Sequence, residues 1–153
     1  MTADAVRQIK VGATHMTRAD CRTVYELVAY SPGYVDWGGI GSFEEIKQGR
    51  ESRYGVGSER VFRTAGMRIY EEVVADTPER HVAYRLISGL PLKNYLGQVD
   101  IARDGDVTRV DWYSTFEAPA GFGWFWRMFM QSILSTMSKK LVQEAEKRVA
   151  SRS

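Results

Sequence analysis

Apolar and polar residues alternate in five runs between residues 57 and 117: GSERVFRT, MRIYEEVVAD, RHVAYRLIS, NYLGQVDIAR and TRVDWYSTFEA. A period of two marks a strand with one buried face. The runs are separated by AG, TPE, GLPLK and DGD, turn chemistry too short to hold a crossover helix. Strands joined this way pair antiparallel, as a meander. Two earlier strands are predicted in AVRQIKVGATHM (5–16) and GGIGSFEEIKQGRES (38–52). Between them TRADCRTVYELVAY reads as a short helix, with Thr17 as N-cap and Val24, Leu27 and Val28 as its apolar face. Pro32 and Gly33 end it, and one further turn runs to about Trp37.

The period changes after Glu117. Trp126, Phe129, Ile133, Met137, Leu141, Ala145 and Val149 recur at three or four residues and form one stripe. Arg127, Gln131, Ser135, Lys139, Gln143, Glu146 and Lys147 fall largely opposite. The spacing predicts a helix over 121–150, longer than the usual three to four turns, with the final ASRS frayed. Its first part, GFGWFWRMFM, is apolar nearly all round. Over residues 121–141 Arg127, Gln131 and Ser132 interrupt the apolar stretch and Lys139 and Lys140 close it, so it cannot span a membrane. Burial of this end in the core is the plain expectation. A membrane-surface helix fits less well, because the polar face is not especially basic.

The order is therefore strand, two short helices, six strands, one long helix: an α+β chain whose seven-stranded sheet curves around its last helix. A length of 153 residues suits a single domain over 1–153 with a real core. A net charge of +2 gives no case for a nucleic-acid partner. Residues 1–10 lack the apolar stretch of a signal peptide. Cys21 is the only cysteine, which rules out an intrachain disulfide and suits a cytoplasmic setting. His15 and His81 are far apart, and one cysteine gives no zinc spacing, so neither metal nor cofactor is expected. GVGSER lacks both the phosphate-loop ending and the dinucleotide spacing and reads as a strand entry.

The element order, with TVYELVAYSPGYVDW, the stretch from GVGSERVFRT to NYLGQVDI, and TRVDWYSTFEA, resembles the SRPBCC or START-like superfamily, in its polyketide cyclase/dehydrase-type branch. The resemblance covers about residues 6–149 through diffuse apolar and turn patterns. It implies a helix-grip fold: a curved antiparallel sheet gripping the C-terminal helix around an apolar cavity. The aromatic start of the helix would then wall and gate that cavity.

On that fold, strand alternation separates inside from outside. Val110, Trp112, Ser114 and Phe116 point inward, as do Val82, Tyr84, Leu86 and Ser88, with Arg85 outward. Tyr95, Gly97, Val99 and Ile101 form a third inward set, and Met67, Ile69, Glu71 and Val73 a fourth. A ligand would contact Tyr84, Leu86, Ser88, Tyr95, Val99, Trp112, Ser114 and Phe116 from the sheet, and Phe125, Phe129, Ile133 and Met137 from the helix. A pocket of about 300–1,000 Å³ is expected. Glu71 is the one inward carboxylate of these sets. It is either a general acid–base group or the structural partner of an arginine such as Arg60 or Arg63. Arg50, Arg53, Arg60, Arg63 and Arg68 read as a solvated sheet face, or as rim residues that catch a ligand anion. SGLP (88–91) resembles the gate loop of the plant abscisic-acid receptors and reads as a turn at the cavity mouth.

Two function classes follow. One is a carrier or binding protein for a hydrophobic small molecule such as a lipid, quinone or polyketide. The other is an aromatase/cyclase that positions a poly-β-ketone chain for aldol cyclisation and dehydration, drawing on Glu71, Tyr84, Ser88, Tyr95 and Ser114. A third class, an interaction protein, would use the aromatic helix start as a protein interface, with a homodimer left open.

Overall fold

The computed structural model describes residues 8–152. Its elements follow the predicted order: β1 (Ile9–Thr17), α1 (Cys21–Ala29), a 3₁₀ turn (Ser31–Gly33), α2 (Tyr34–Trp37), β2 (Ser42–Lys47), β3 (Glu59–Thr64), β4 (Met67–Thr77), β5 (His81–Ser88), β6 (Lys93–Asp104), β7 (Val107–Glu117) and α3 (Gly123–Arg152). The seven strands form one antiparallel sheet in the order β1-β7-β6-β5-β4-β3-β2. Strands β2 to β7 are a meander, and β1 pairs along β7 at the far edge. The α+β helix-grip architecture expected from the sequence is present. Residues 5–7 of the predicted first strand lie outside the described residues.

The hairpin between β3 and β4 shows how local chemistry sets register. Ala65 and Gly66 both have positive φ (50° and 78°), so a two-residue turn reverses the chain there. That turn puts Arg60 directly opposite Glu71. The sheet's concave face carries the core: Val73, Val82, Tyr84, Tyr95, Val99, Ile101, Val110, Trp112 and Phe116 are buried with α1, α2 and α3 against them.

Helix α3 lies against β1, β7 and α1. Its buried face is Met130, Leu134, Met137, Ser138, Leu141, Val142 and Ala145. The predicted stripe is thus offset: Leu141, Ala145 and Met137 are in the core, but Trp126, Phe129, Ile133 and Val149 are only half-buried. Gln131 is exposed, as expected, and closes the sheet edge from there. Its Nε2 donates to the Gly12 carbonyl at 2.7 Å and its Oε1 accepts from the Gly12 N–H at 3.0 Å. An edge strand's free backbone groups are covered this way.

Three expectations are corrected. Thr17 is not an N-cap: it ends β1, accepts the Ala19 N–H and donates to Glu146, while Asp20 occupies the cap position. Residues 151 and 152 do not fray, because α3 runs through Arg152, which donates to Thr23 at 2.9 Å. The aromatic start of α3 is not core: Phe122, Trp124, Phe125 and Met128 are exposed.

Candidate functional site

A cavity of about 310 Å³ lies between the sheet's concave face and the middle of α3. This is the low end of the expected size range. Its depth is defined by buried residues, Tyr34, Arg60, Phe62, Glu71, Tyr84, Tyr95 and Trp112. Its mouth is framed by exposed ones: Gly39 after α2, Ala65 in the β3–β4 turn, and Ser132 and Thr136 on α3. The walls between are apolar, with Met67, Ile69, Leu86, Leu90, Phe129, Ile133 and Met137 among them.

The depth holds the polar chemistry. Arg60 is 3% exposed and Glu71 8%. They face each other across β3 and β4, with the Arg60 Nη2 3.1 Å and Nε 3.2 Å from Glu71 Oε1. The other guanidinium arm, Nη1, donates to Ser31 Oγ at 2.8 Å, which ties the sheet to the 3₁₀ turn. Three rings surround the guanidinium, Phe62, Tyr84 and Tyr34, with centroids 5.0, 5.2 and 5.4 Å away. Aromatic faces and a carboxylate together are what make a dry arginine tolerable. Burial pushes the Glu71 carboxyl above its ordinary range, against the pull of the Arg60 charge and its hydrogen bond.

The tyrosines are held as firmly. Trp112 Nε1 donates to the Tyr84 hydroxyl at 3.0 Å, and the Tyr34 hydroxyl donates to the Val28 carbonyl at 2.7 Å. Burial raises both phenols, Tyr84 well above the ordinary value, so both are neutral donors at neutral pH. The Tyr84 ring lies over Gly97 of β6, where a Cβ would come within 2.2 Å of it. Gly97 is there because nothing larger leaves room for the ring. Tyr95 stacks on Phe116 at 5.9 Å and extends this aromatic layer.

Of the residues expected to meet a ligand, Glu71, Tyr84, Leu86, Tyr95, Trp112, Phe129, Ile133 and Met137 line the cavity. Val99, Ser114 and Phe116 point inward as expected but are fully buried behind that lining. Ser88 and Phe125 do not line it. Ser88 ends β5 and is exposed, so the inward alternation of that strand stops at Leu86. Phe125 sits outside the mouth, stacked on Phe129 at 5.9 Å. The 88–91 turn reaches the cavity through Leu90 alone. Gly89 is required there: its φ is 113°, and a Cβ would lie 2.0 Å from the Arg68 carbonyl. Arg60 does not belong to a solvated face, and it joins Glu71 at the floor.

Tyr34, Phe62 and Leu90 also line the cavity but were not singled out from the sequence. For Phe62 a signal was available, since the Ala65–Gly66 turn puts it opposite Ile69, already assigned inward. Among the described residues no cluster of histidine, cysteine or carboxylate groups could hold a metal ion, and no helix is long and apolar enough to cross a membrane.

The family model described as polyketide cyclase/dehydrase and lipid transport matches residues 8–150. The chain belongs to this family. Solved structures similar to this family member include a START superfamily protein from Mycobacterium smegmatis, at 16% identity over 90% of this chain and 97% of that one, with a TM-score of 0.77. A norcoclaurine synthase from Thalictrum matches at 13% identity over 95% and 99%, with a TM-score of 0.75. The major latex-like protein 151 of Panax ginseng matches at 16% over 90% and 97%, with a TM-score of 0.69. At these identities the likeness is one of fold. No curated protein matches the chain.

Proposed function

We propose that this protein binds an apolar small molecule with one polar end, as a carrier or binding protein in the cytoplasm. The observation that carries this reading is the cavity's division into apolar walls and a small polar floor already in mutual contact. Arg60 is engaged by Glu71 and Ser31, and Tyr84 accepts from Trp112. A floor of this kind can orient a carbonyl, hydroxyl or carboxyl end while the walls take up the hydrocarbon. The family's description includes lipid transport, and a lipid, quinone or polyketide fits the division.

One observation favours a second reading. Glu71 combines access to the cavity with a pKa raised by burial, the state of a carboxyl suited to proton transfer. A cyclase would use it with Tyr84 to assist aldol condensation and dehydration. Native mass spectrometry of protein from its own host, followed by displacement of an environment-sensitive dye with lipids and aromatic polyketides, tests the first reading. A Leu134→Trp variant, which fills the cavity from α3, should abolish dye binding. If dye binds the variant and wild type alike, the carrier reading fails. Turnover of a poly-β-ketone surrogate that falls by about 10²-fold or more in Glu71→Gln would establish the second.

A further inference from the structure

The first turns of α3 and the residues just before it hold large apolar side chains in water: Trp124 is 67% exposed, Met128 66% and Phe122 58%. Through Phe125, stacked on Phe129, this patch runs into the cavity mouth. The charges around it are one-sided. No aspartate or glutamate occurs between Glu117 and Glu144, nor in residues 37–43, 64–70 or 88–95, the segments at the same end of the sheet. Arg68, Lys93 and Arg127 are exposed there, and among the described residues none of them is in an ion pair. The carboxylates flanking these segments are Glu44, paired with Arg63, and Glu117, opposite Lys93 in the sheet and accepting from Asn94. The hairpins at the opposite end of the sheet instead carry Asp76, Glu79, Asp104 and Asp106.

We propose that this face docks on an anionic lipid membrane and sets the cavity mouth against the bilayer. Trp124, Phe122, Phe125 and Met128 would enter the headgroup–acyl boundary, where tryptophan and phenylalanine are favoured. The cations would meet lipid headgroups. On the helix alone the polar face is not especially basic. The fold adds Arg68 and Lys93 from the first residues of β4 and β6. A second copy fits the face poorly, because it would present the same excess of cations. The proposal rests on surface residues and does not require the carrier reading to hold.

Co-sedimentation of the full chain with phosphatidylcholine vesicles, with and without phosphatidylserine, tests it. Binding is expected to the anionic vesicles, at least about tenfold weaker to the neutral ones, and reduced by salt. Trp124→Ser/Phe125→Ser should weaken partitioning at least about tenfold, since each aromatic ring contributes that much when buried. Arg68→Glu/Arg127→Glu should abolish the preference for phosphatidylserine. Both pairs are exposed, and unchanged circular dichroism and thermal unfolding verify folding. Absence of vesicle binding, binding indifferent to either double substitution, or a dimer that the aromatic substitutions dissolve would each overturn the proposal. Loss of dye binding in wild type with vesicle binding intact would overturn the carrier reading alone.

Discussion

The floor of the cavity and the tip of α3 break the same rule in opposite directions. At the floor, an arginine and a glutamate sit in a dry place among Tyr34, Phe62 and Tyr84. At the tip, two phenylalanines, a tryptophan and a methionine sit in water. The floor's polar groups are partnered within the protein, whereas the tip's apolar groups touch one another and Phe129 yet remain largely in water. An internally satisfied inversion can be structural, functional or both. An unsatisfied one points outward, to something the chain meets.

The largest expected effect comes from unbalancing the floor. Arg60→Leu removes the cation opposite Glu71 and the donor to Ser31 and leaves a carboxyl buried alone. A loss of about 3–5 kcal/mol at neutral pH is expected by denaturant unfolding. The double variant Arg60→Leu/Glu71→Leu removes both charges and should recover most of it. A double variant as unstable as the single would mean that the pair itself, and not its balance, holds the floor together.

A smaller loss is expected where one hydroxyl is removed. Tyr84→Phe leaves Trp112 Nε1, 2% exposed as a residue, without its acceptor. An orphaned buried donor costs about 1–3 kcal/mol. Dye affinity should change little if walls dominate binding, and fall if the ligand's polar end uses that hydroxyl.

These two positions also show what could be read in advance. Tyr84 and Trp112 follow from period-two alternation, because a sheet with one covered face leaves each strand only two choices. The Arg60–Glu71 pairing was narrowed to two arginines, and the two-residue turn at Ala65–Gly66 decides between them. Arg60 is buried where the sequence suggests a solvated face, because sequence alone does not show that α2 and the 3₁₀ turn fold over β3. Ser88 failed because alternation continues in the sequence after the covering elements have ended. The tip of α3 failed for a different reason: a helix apolar on all sides has no pattern from which to read a buried direction.

The floor's titration gives the next contrast. Burial raises the Glu71 pKa, so the native state holds its proton where the unfolded chain has lost it. Stability should therefore fall as pH rises from the ordinary carboxylate value of 4.5 through the raised folded value. The proton is the native state's, so the slope is negative. Glu71→Gln mimics the neutral acid and should lack this part of the slope. Its stability should match wild type at the acid end and equal or exceed it at neutral pH. A variant that instead weakens progressively above pH 4.5 would show that the Arg60 charge outweighs burial.

The smallest effect belongs to the tip, and its smallness is informative. Trp124 is among the largest side chains of the protein, and in a core its loss would cost about 3–5 kcal/mol. At 67% exposure it is largely in contact with water in the folded and unfolded states alike, so little transfer free energy changes on folding. Trp124→Ala should shift stability by no more than about 0.5 kcal/mol, while Leu134→Ala, ten residues along the same helix and 2% exposed, should cost about 2–5 kcal/mol. Thermal unfolding of the two variants side by side measures the contrast. If Trp124→Ala proves as costly as Leu134→Ala, the aromatic tip is held by the fold after all, and its exposure carries no outward meaning. If it is nearly silent, folding supplies no reason for a tryptophan at this position, and the surface it would meet becomes the explanation to pursue.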